Sequence, residues 1–386
     1  MKNNIAYLLI LLLSVSSCIY PFTPEYPESD RRIVIEGDVL IGEQTSVRVS
    51  YLANLDGTTG SGPVAPLGSV WVEASNGTRY DGISTGDRWN ATFSVDTRQA
   101  DPSLRYKLHF KDSRTAKEYS SVWLDVVSAG VIDSLYVGLD EPLSMVRFYM
   151  DFKGGEQTRY FRINFSEDWE YHSQCNSELL YIPPENRRAG NGEIIQNEGT
   201  RYYYCWDKDN STSIMLASTE RLSSNVLKAH EYHSLPRTSR KISSVYSEEV
   251  HVAGITKDAY DYWNNINTGS NNTGSLFAPM PSDMPGNIVC LSDSTEHVIG
   301  YISATKRAVK RMFYYNATYY IDAREPMTVR DTLPEKEWFS YYQNGNLPAY
   351  YVEDLKGYTW APARCVDCRV EGGTKEKPSW WPTVNE

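Results

Sequence analysis

Residues 104–110 read L-R-Y-K-L-H-F, with apolar Leu104, Tyr106, Leu108 and Phe110 separated by Arg105, Lys107 and His109. Successive side chains of an extended chain point to opposite sides, so a period of two marks a strand with one face buried and the other wet. The same alternation extends outward from this stretch, through residues 33–41, 47–51 (V-R-V-S-Y), 70–74 and 89–95 (W-N-A-T-F-S-V) before it and 120–127 after it. Asp56-Gly57, Asn76-Gly77 and Asp81-Gly82 punctuate the runs; such dipeptides supply the positive backbone angles that tight turns need. About six or seven short strands spaced in this way predict an immunoglobulin-like β-sandwich over residues 33–127. The paired cysteines of antibody domains are absent from it, so only the architecture is inferred.

Alternation resumes beyond residue 128. Residues 132–137, 146–152 (V-R-F-Y-M-D-F) and 160–165 read as strands, with Lys153-Gly154-Gly155 as a turn. Residues 167–210 then become irregular and rich in Asn, Glu and Gly, and loops of such length are uncommon unless they serve a function. One helix is expected, from Thr256 to Asn267: Thr256 can cap it, Ala259, Tyr262, Trp263 and Ile266 fall on one stripe, and Gly269 ends it. Strands follow at 297–304 and 309–320. The expected fold is mainly β: the sandwich, then a larger β-rich domain over residues 128–386 with long loops, one clear short helix and a C-terminal C-x-x-C segment.

The amino terminus carries a different signal. Lys2 is followed by the apolar run I-A-Y-L-L-I-L-L-L (5–13) and by Ser14-Val15-Ser16-Ser17-Cys18. The run is shorter than the roughly 20 residues that span a bilayer, so residues 1–17 read as a cleaved signal peptide. A cysteine straight after small residues resembles the bacterial lipobox, which makes Cys18 the expected site of lipidation. Residues 18–32, with three prolines and several acids, read as an extended tether from lipid to fold.

Composition narrows the function. The 41% hydrophobic content is enough for packed cores, and 29 Tyr and 10 Trp stand against 10 Phe. With Lys2 removed, 37 basic against 49 acidic residues leave a formal charge of −12. That balance argues against nucleic acid and against a basic membrane-docking patch. Besides Cys18 there are Cys175, Cys205, Cys290, Cys365 and Cys368. An odd count leaves at least one thiol free or paired between chains. Cys365-Val-Asp-Cys368 is a candidate disulfide or thiol pair, and Cys175 with Cys205 a candidate disulfide. Zinc or redox chemistry at the C-x-x-C is weakly supported: it has no second half or nearby His, and Arg369-Val-Glu-Gly-Gly after it reads as strand and turn.

No local signature of catalysis is present, whether nucleophile elbow, H-E-x-x-H, P-loop or dinucleotide fingerprint. His230-Glu231-Tyr232-His233 has metal-ligand spacing only if helical, and lacks a third ligand nearby. The acid pairs Glu167-Asp168 and Glu248-Glu249 fit glycosidic chemistry only across a cleft. Trp169, Tyr202, Tyr203, Tyr204 and Trp206 are the candidate ligand or partner contacts. Tyr171, Tyr341, Tyr342, Tyr350 and Tyr351 are further aromatic positions that could stack on sugars or peptides. No catalytic residue, metal or cofactor is expected.

Four blocks carry a family resemblance. They are C-I-Y-P-F-T-P-E-Y (18–26) with I-V-I-E-G-D-V-L (33–40), the stretch 259–288 ending G-N-I, G-Y-I-S-A-T (300–305), and C-V-D-C-R-V-E-G-G-T-K-E-K-P-S-W-W (365–381). Together they resemble the Bacteroidota lipoproteins grouped as DUF4249. The resemblance implies an outer-membrane, lipid-anchored protein that is a non-enzymatic accessory or ligand-binding partner of a TonB-dependent transporter; the aromatic positions make a glycan or peptide the expected ligand. It carries over no catalytic residue. The surface is the expected face, although Ile19-Tyr20-Pro21-Phe22 stands where surface-export signals of that phylum usually place acids. An adhesive or structural surface lipoprotein without a transporter is the alternative, and a hydrolase a third.

Overall fold

In the computed structural model, residues 106–110 form most of a central strand, Tyr106–Asp112, with Tyr106, Leu108 and Phe110 buried on one face and His109 buried on the other. The structure describes residues 32–51, 66–86, 91–140, 144–185, 190–197, 202–271, 286–315, 319–324, 329 and 332–382. The signal peptide, Cys18, nearly all of the tether and most of the loop after Gly269 lie outside these.

The strands of the first part are β1 (Ile33–Gly37), β2 (Val39–Leu40), β3 (Gln44–Tyr51), β4 (Gly68–Ala74), β5 (Arg79–Ser84), β6 (Ala91–Asp96), β7 (Tyr106–Asp112), β8 (Glu118–Ser121) and β9 (Val126–Ser128). Next come β10 (Gly130–Asp140), β11 (Met145–Gly154), β12 (Tyr160–His172), β13 (Leu179–Ile182), β14 (Glu193–Gln196), β15 (Tyr204–Asn210), β16 (Met215–Ser218), β17 (Val226–Pro236) and β18 (Val245–Ile255). Helix α1 (Lys257–Asn271) leads to β19 (Ile288–Cys290), β20 (Ala304–Lys306) and β21 (Ala308–Tyr315). The chain ends in α2 (Glu335–Gln343), β22 (Asn346–Val352), β23 (Gly357–Pro362) and the single turn α3 (Ala363–Val366).

The fold is mainly β, as expected, but the first unit departs from two separate sheets. Its strands follow one path, β1-β3-β6-β5-β4-β7-β8-β19. The sheet curls at β5, whose first half pairs with β4 (Arg79 to Asp81) and whose second half pairs with β6 (Gly82 to Ser84). A strand that changes partner in this way turns a corner. Gly82 sits there because a Cβ would lie 2.8 Å from the Val70 carbonyl oxygen. Asp81-Gly82, expected as a turn, is therefore this corner, whereas Asn76-Gly77 is the β4–β5 turn, with Gly77 at φ +86°.

The core of this unit does not close within residues 33–127. Ile288, Cys290, Val298, Ile302 and Ala304 join it. β19 extends the sheet beside β8, and β20 inserts in parallel between β2 and β9. The unit is discontinuous because β8 would otherwise present a bare edge, and edges are covered in stable folds.

The second unit packs sheet β10-β11-β17 against sheet β15-β12-β18-β21 around a common core that includes Phe148, Phe152 and Phe161. The stretch expected to be irregular, 167–210, contains the end of β12, the β13–β14 hairpin and β15. Helix α1 starts as expected, with Thr256 Oγ1 accepting from the Ala259 amide at 3.2 Å. It runs past Gly269 to Asn271.

A small third cluster joins β13, β22, β23 and α2 through Tyr181, Trp338 and Trp360. Beside it lies a second small cluster that includes Cys175, Ala349, Ala361, Cys365 and Val366; the disulfide Cys175–Cys365 lies inside this cluster and Cys205–Cys368 inside the core of the second unit, across sequence separations of 190 and 163. This corrects the expected pairings Cys365 with Cys368 and Cys175 with Cys205. Asp367 is extended between α3 and a 3₁₀ turn, Cys368–Glu371. Cys365 thus enters the small core and Cys368 the large one. That 3₁₀ turn stands where strand and turn were expected. Cys290 is the free, buried thiol among the described residues.

Closing loops of such length contributes about 3–5 kcal/mol per bond in the chain-entropy picture. The double variant Cys205→Ser/Cys368→Ser should lose stability of that order in urea unfolding and gain hydrogen exchange across residues 363–381. Unchanged exchange there would show that the bond does not hold the segment.

Candidate functional site

Strand β12 sends Phe161, Ile163, Phe165, Glu167, Trp169 and Tyr171 into the second core, all of them buried. Glu167 is a carboxylate in a row of apolar side chains. Its neighbour on β18 in register is Glu248, itself 0% exposed, flanked by the pairs Phe165 with Val250 and Trp169 with Tyr246. Like charges placed directly opposite on a sheet repel, and burial raises the cost. Other groups must therefore answer the pair.

They come from β17 and from the turn before β18. Phe148 pairs with His233 but Tyr149 pairs with Glu231, so Tyr232 is an extra residue, a β-bulge. A bulge breaks alternation and re-aims side chains. Here the consecutive residues Tyr232 and His233 both reach the cluster. The Tyr232 hydroxyl donates to Glu248 Oε2 at 2.8 Å. The Tyr246 hydroxyl lies 2.5 Å from Glu248 Oε1 and 2.8 Å from Glu167 Oε2. Lys241 donates to Glu167 Oε1 and stands 4.6 Å over the Trp169 ring. His233 is held by the rings of Phe148 and Phe165, with centroids 5.4 and 4.5 Å away. Its Nε2 lies 3.6 Å from Glu248 Oε1 and 3.9 Å from Glu167 Oε2.

Counting hydrogens fixes a protonation state. One Tyr246 hydroxyl hydrogen serves one of its two carboxyl contacts, so the other contact needs a hydrogen on a carboxyl oxygen. Glu248 carries it, since burial pushes this acid up to about 8. The chain of donors then runs from Tyr232 to Glu248, from Glu248 to Tyr246, and from Tyr246 to Glu167, which Lys241 neutralises. Burial, reinforced by the nearby Lys241 charge, pushes His233 down to about 4, and burial drives the Tyr246 phenol well above its ordinary value.

The cluster meets solvent along an open groove of about 650 Å³, whose walls include Phe165, Glu167, Asn210, Met215, Tyr232 and His233. Glu167, His233 and Glu248 could together hold a cation, with one donor atom from each lying within 4.8 Å of the others.

The positions singled out in the sequence are scattered by strand geometry. Neighbouring acids are split to opposite faces: Asp168 and Glu249 pair with Arg311 at 3.2 and 3.0 Å, while Glu167 and Glu248 converge inside. His230 and His233 lie on a strand rather than a helix, and the groups within reach of His233 are the two glutamates. Trp169, expected as a ligand contact, is a core residue because it falls on the inward row of β12. Tyr202 and Tyr203 are half-buried, Tyr204 is exposed, and His172 stacks on Tyr203 with centroids 4.9 Å apart. Trp206 lines a separate groove of about 400 Å³ with Asp168, Thr374 and Trp380. Tyr350 and Tyr351 are exposed. The sequence offered no periodic signal for Tyr232, Lys241 or Tyr246.

Fold and site together describe a mainly β framework with a polar cluster inside its second core. The chain belongs to the family described as Domain of unknown function (DUF4249), whose model matches residues 19–311. No curated protein matches the sequence.

The cluster sets a pH dependence. Glu248 holds its proton to about 8 against an ordinary 4.5, so its contribution to stability is complete below 4.5 and lost as pH rises through 8. His233 is neutral down to about 4 against an ordinary 6.5, so its contribution is complete above 6.5 and lost as pH falls through 4. The two slopes oppose each other between 4.5 and 6.5. The other histidines lowered by burial, His109, His230 and His251, also act below 6.5. Between pH 6.5 and 8 Glu248 dominates, and stability should fall by up to about 1.4 kcal/mol per pH unit. Glu248→Gln should flatten that limb in urea unfolding, and an unaltered slope would place the titration elsewhere.

Proposed function

We propose that the chain is an outer-membrane lipoprotein of Bacteroidota, anchored by acyl chains on Cys18, that serves as a non-enzymatic accessory or ligand-binding partner of a TonB-dependent transporter. The observation that carries the reading is Ser14-Val15-Ser16-Ser17-Cys18 directly after I-A-Y-L-L-I-L-L-L. Each buried methylene of an acyl chain contributes about 0.8 kcal/mol, so two or three chains hold a soluble domain at a bilayer. Two buried disulfides linking distant segments suit an oxidising, exported environment. Among the described residues no helix is long and apolar enough to cross a membrane, which fits attachment by lipid.

The non-enzymatic part draws on the cluster. Tyr232 and Tyr246 hydrogen-bond both Glu248 oxygens, and the sequence carries no nucleophile elbow, H-E-x-x-H, P-loop or dinucleotide fingerprint beside them. The ligand contacts in this reading are the exposed or half-buried Tyr202, Tyr203, Tyr204 and Trp206, with a glycan or peptide as ligand. Stacking on such rings tolerates varied ligands.

Protein from host membranes, labelled with an alkyne palmitate analogue, should carry the label on a chain beginning at Cys18, and Cys18→Ala should abolish it. A purified mass equal to the bare polypeptide, with release into buffer, would overturn the anchor. Affinity capture from native membranes should bring down a β-barrel receptor. Capture of the lipidated protein with no barrel would leave the anchor standing and favour a surface adhesin.

A further inference from the structure

His233 Nε2 is a buried nitrogen with no hydrogen-bond partner. It is one of nine such atoms among the described residues, and the one that faces two carboxylate groups. Its distances to Glu248 Oε1 and Glu167 Oε2, 3.6 and 3.9 Å, are too long for hydrogen bonds. They are close to the spacing of about 3.4 Å that two ligands adopt around one ion when each bond is about 2.1 Å. Phe148 and Phe165 pack against the ring, so the nitrogen stays aimed at the two carboxylates.

We propose that His233 Nε2, Glu167 Oε2 and Glu248 Oε1 bind one divalent first-row transition cation of the zinc, manganese or iron class, with water from the groove completing its shell. One imidazole and two carboxylates suit these ions, whereas magnesium and calcium prefer oxygen alone. The surroundings fit the charge. Lys241 holds the other oxygen of Glu167, and Asp209 stands 3.6 Å from Lys241 at the groove. With Glu167, Glu248 and Asp209 ionised, Lys241 and a dication bring the group to neutrality. Tyr232 keeps its bond to Glu248 Oε2 and orients that carboxylate, as outer-shell partners do at metal sites. The cation takes the place of the proton that now links Glu248 to Tyr246. Glu167 and His233 open on the groove, which provides entry.

The test uses the mature chain beginning at Cys18, treated with chelator and titrated with Zn²⁺ at pH 7.5 by calorimetry. One equivalent should bind, with a rise in Tm. His233→Phe keeps an aromatic ring between Phe148 and Phe165, and Glu248→Gln keeps the shape of the carboxyl. Each should weaken binding at least about 100-fold, more than loss of an outer-shell partner typically does. Asp209→Asn should weaken it less, and His230→Ala should leave it unchanged. Should His233→Phe fail to fold by circular dichroism, Glu248→Gln and Glu167→Gln carry the same expectation. Absence of a stoichiometric site, or binding that survives these substitutions in folded protein, overturns the proposal.

Discussion

Two acids face each other across the middle of the second core, and the arrangement of the surrounding elements answers that constraint. Glu167 and Glu248 are in register on adjacent central strands and both point inward. An unanswered pair of buried charges would cost more than a small domain has to spare. The Tyr246 hydroxyl between them, the Lys241 ammonium on one side and the bulged Tyr232-His233 on the other turn a liability into a connected network. Networks of this kind are stable only when every member is satisfied. The member left over is His233 Nε2, one of nine buried side-chain atoms without a partner among the described residues, and what sets it apart is that two carboxylates face it.

The same logic of covering what would otherwise be exposed governs the rest of the fold. β19 and β20 return from beyond residue 286 to cover an edge and bridge the first unit, and Arg162 on β12 pairs with Asp38 beside β2. Asp38 also accepts from the Ser303 amide at 3.1 Å. The third cluster has few large buried residues of its own. A core that small does not stabilise a unit alone; Cys175–Cys365 closes it from within, and Cys368, three residues beyond Cys365, fixes the same segment to the large core through Cys205.

Much of this was legible in the sequence where alternation is uninterrupted. The stretches 106–110 and 146–152 are strands because every second residue is apolar, and α1 begins where Thr256 can cap it. Reading failed where polar residues take inward positions. Glu167 broke the pattern of β12, so the strand was expected to stop at Phe165, seven residues before its end at His172. In β18 the inward row Tyr246, Glu248, Val250 and Val252 begins with a phenol and an acid and resembles surface. The bulge at Tyr232 has no sequence signature, so the spacing of His230 and His233 fits a metal only on a helix, whereas on this strand the bulge turns His233 toward the two glutamates. Asp81-Gly82 is a good turn dipeptide that the corner of β5 uses within a strand. Disulfide pairing depends on which core each cysteine enters, and spacing in C-x-x-C does not encode it.

The account turns on a neutral carboxylic acid inside a β core at neutral pH. Infrared difference spectroscopy of the chelator-treated protein against Glu248→Gln reads that species directly through its carbonyl stretch. The account predicts one protonated-carboxyl band at pH 7 in the wild-type protein, missing from the variant and lost when Zn²⁺ is added. A wild-type spectrum with no such band, both acids being ionised, would contradict it.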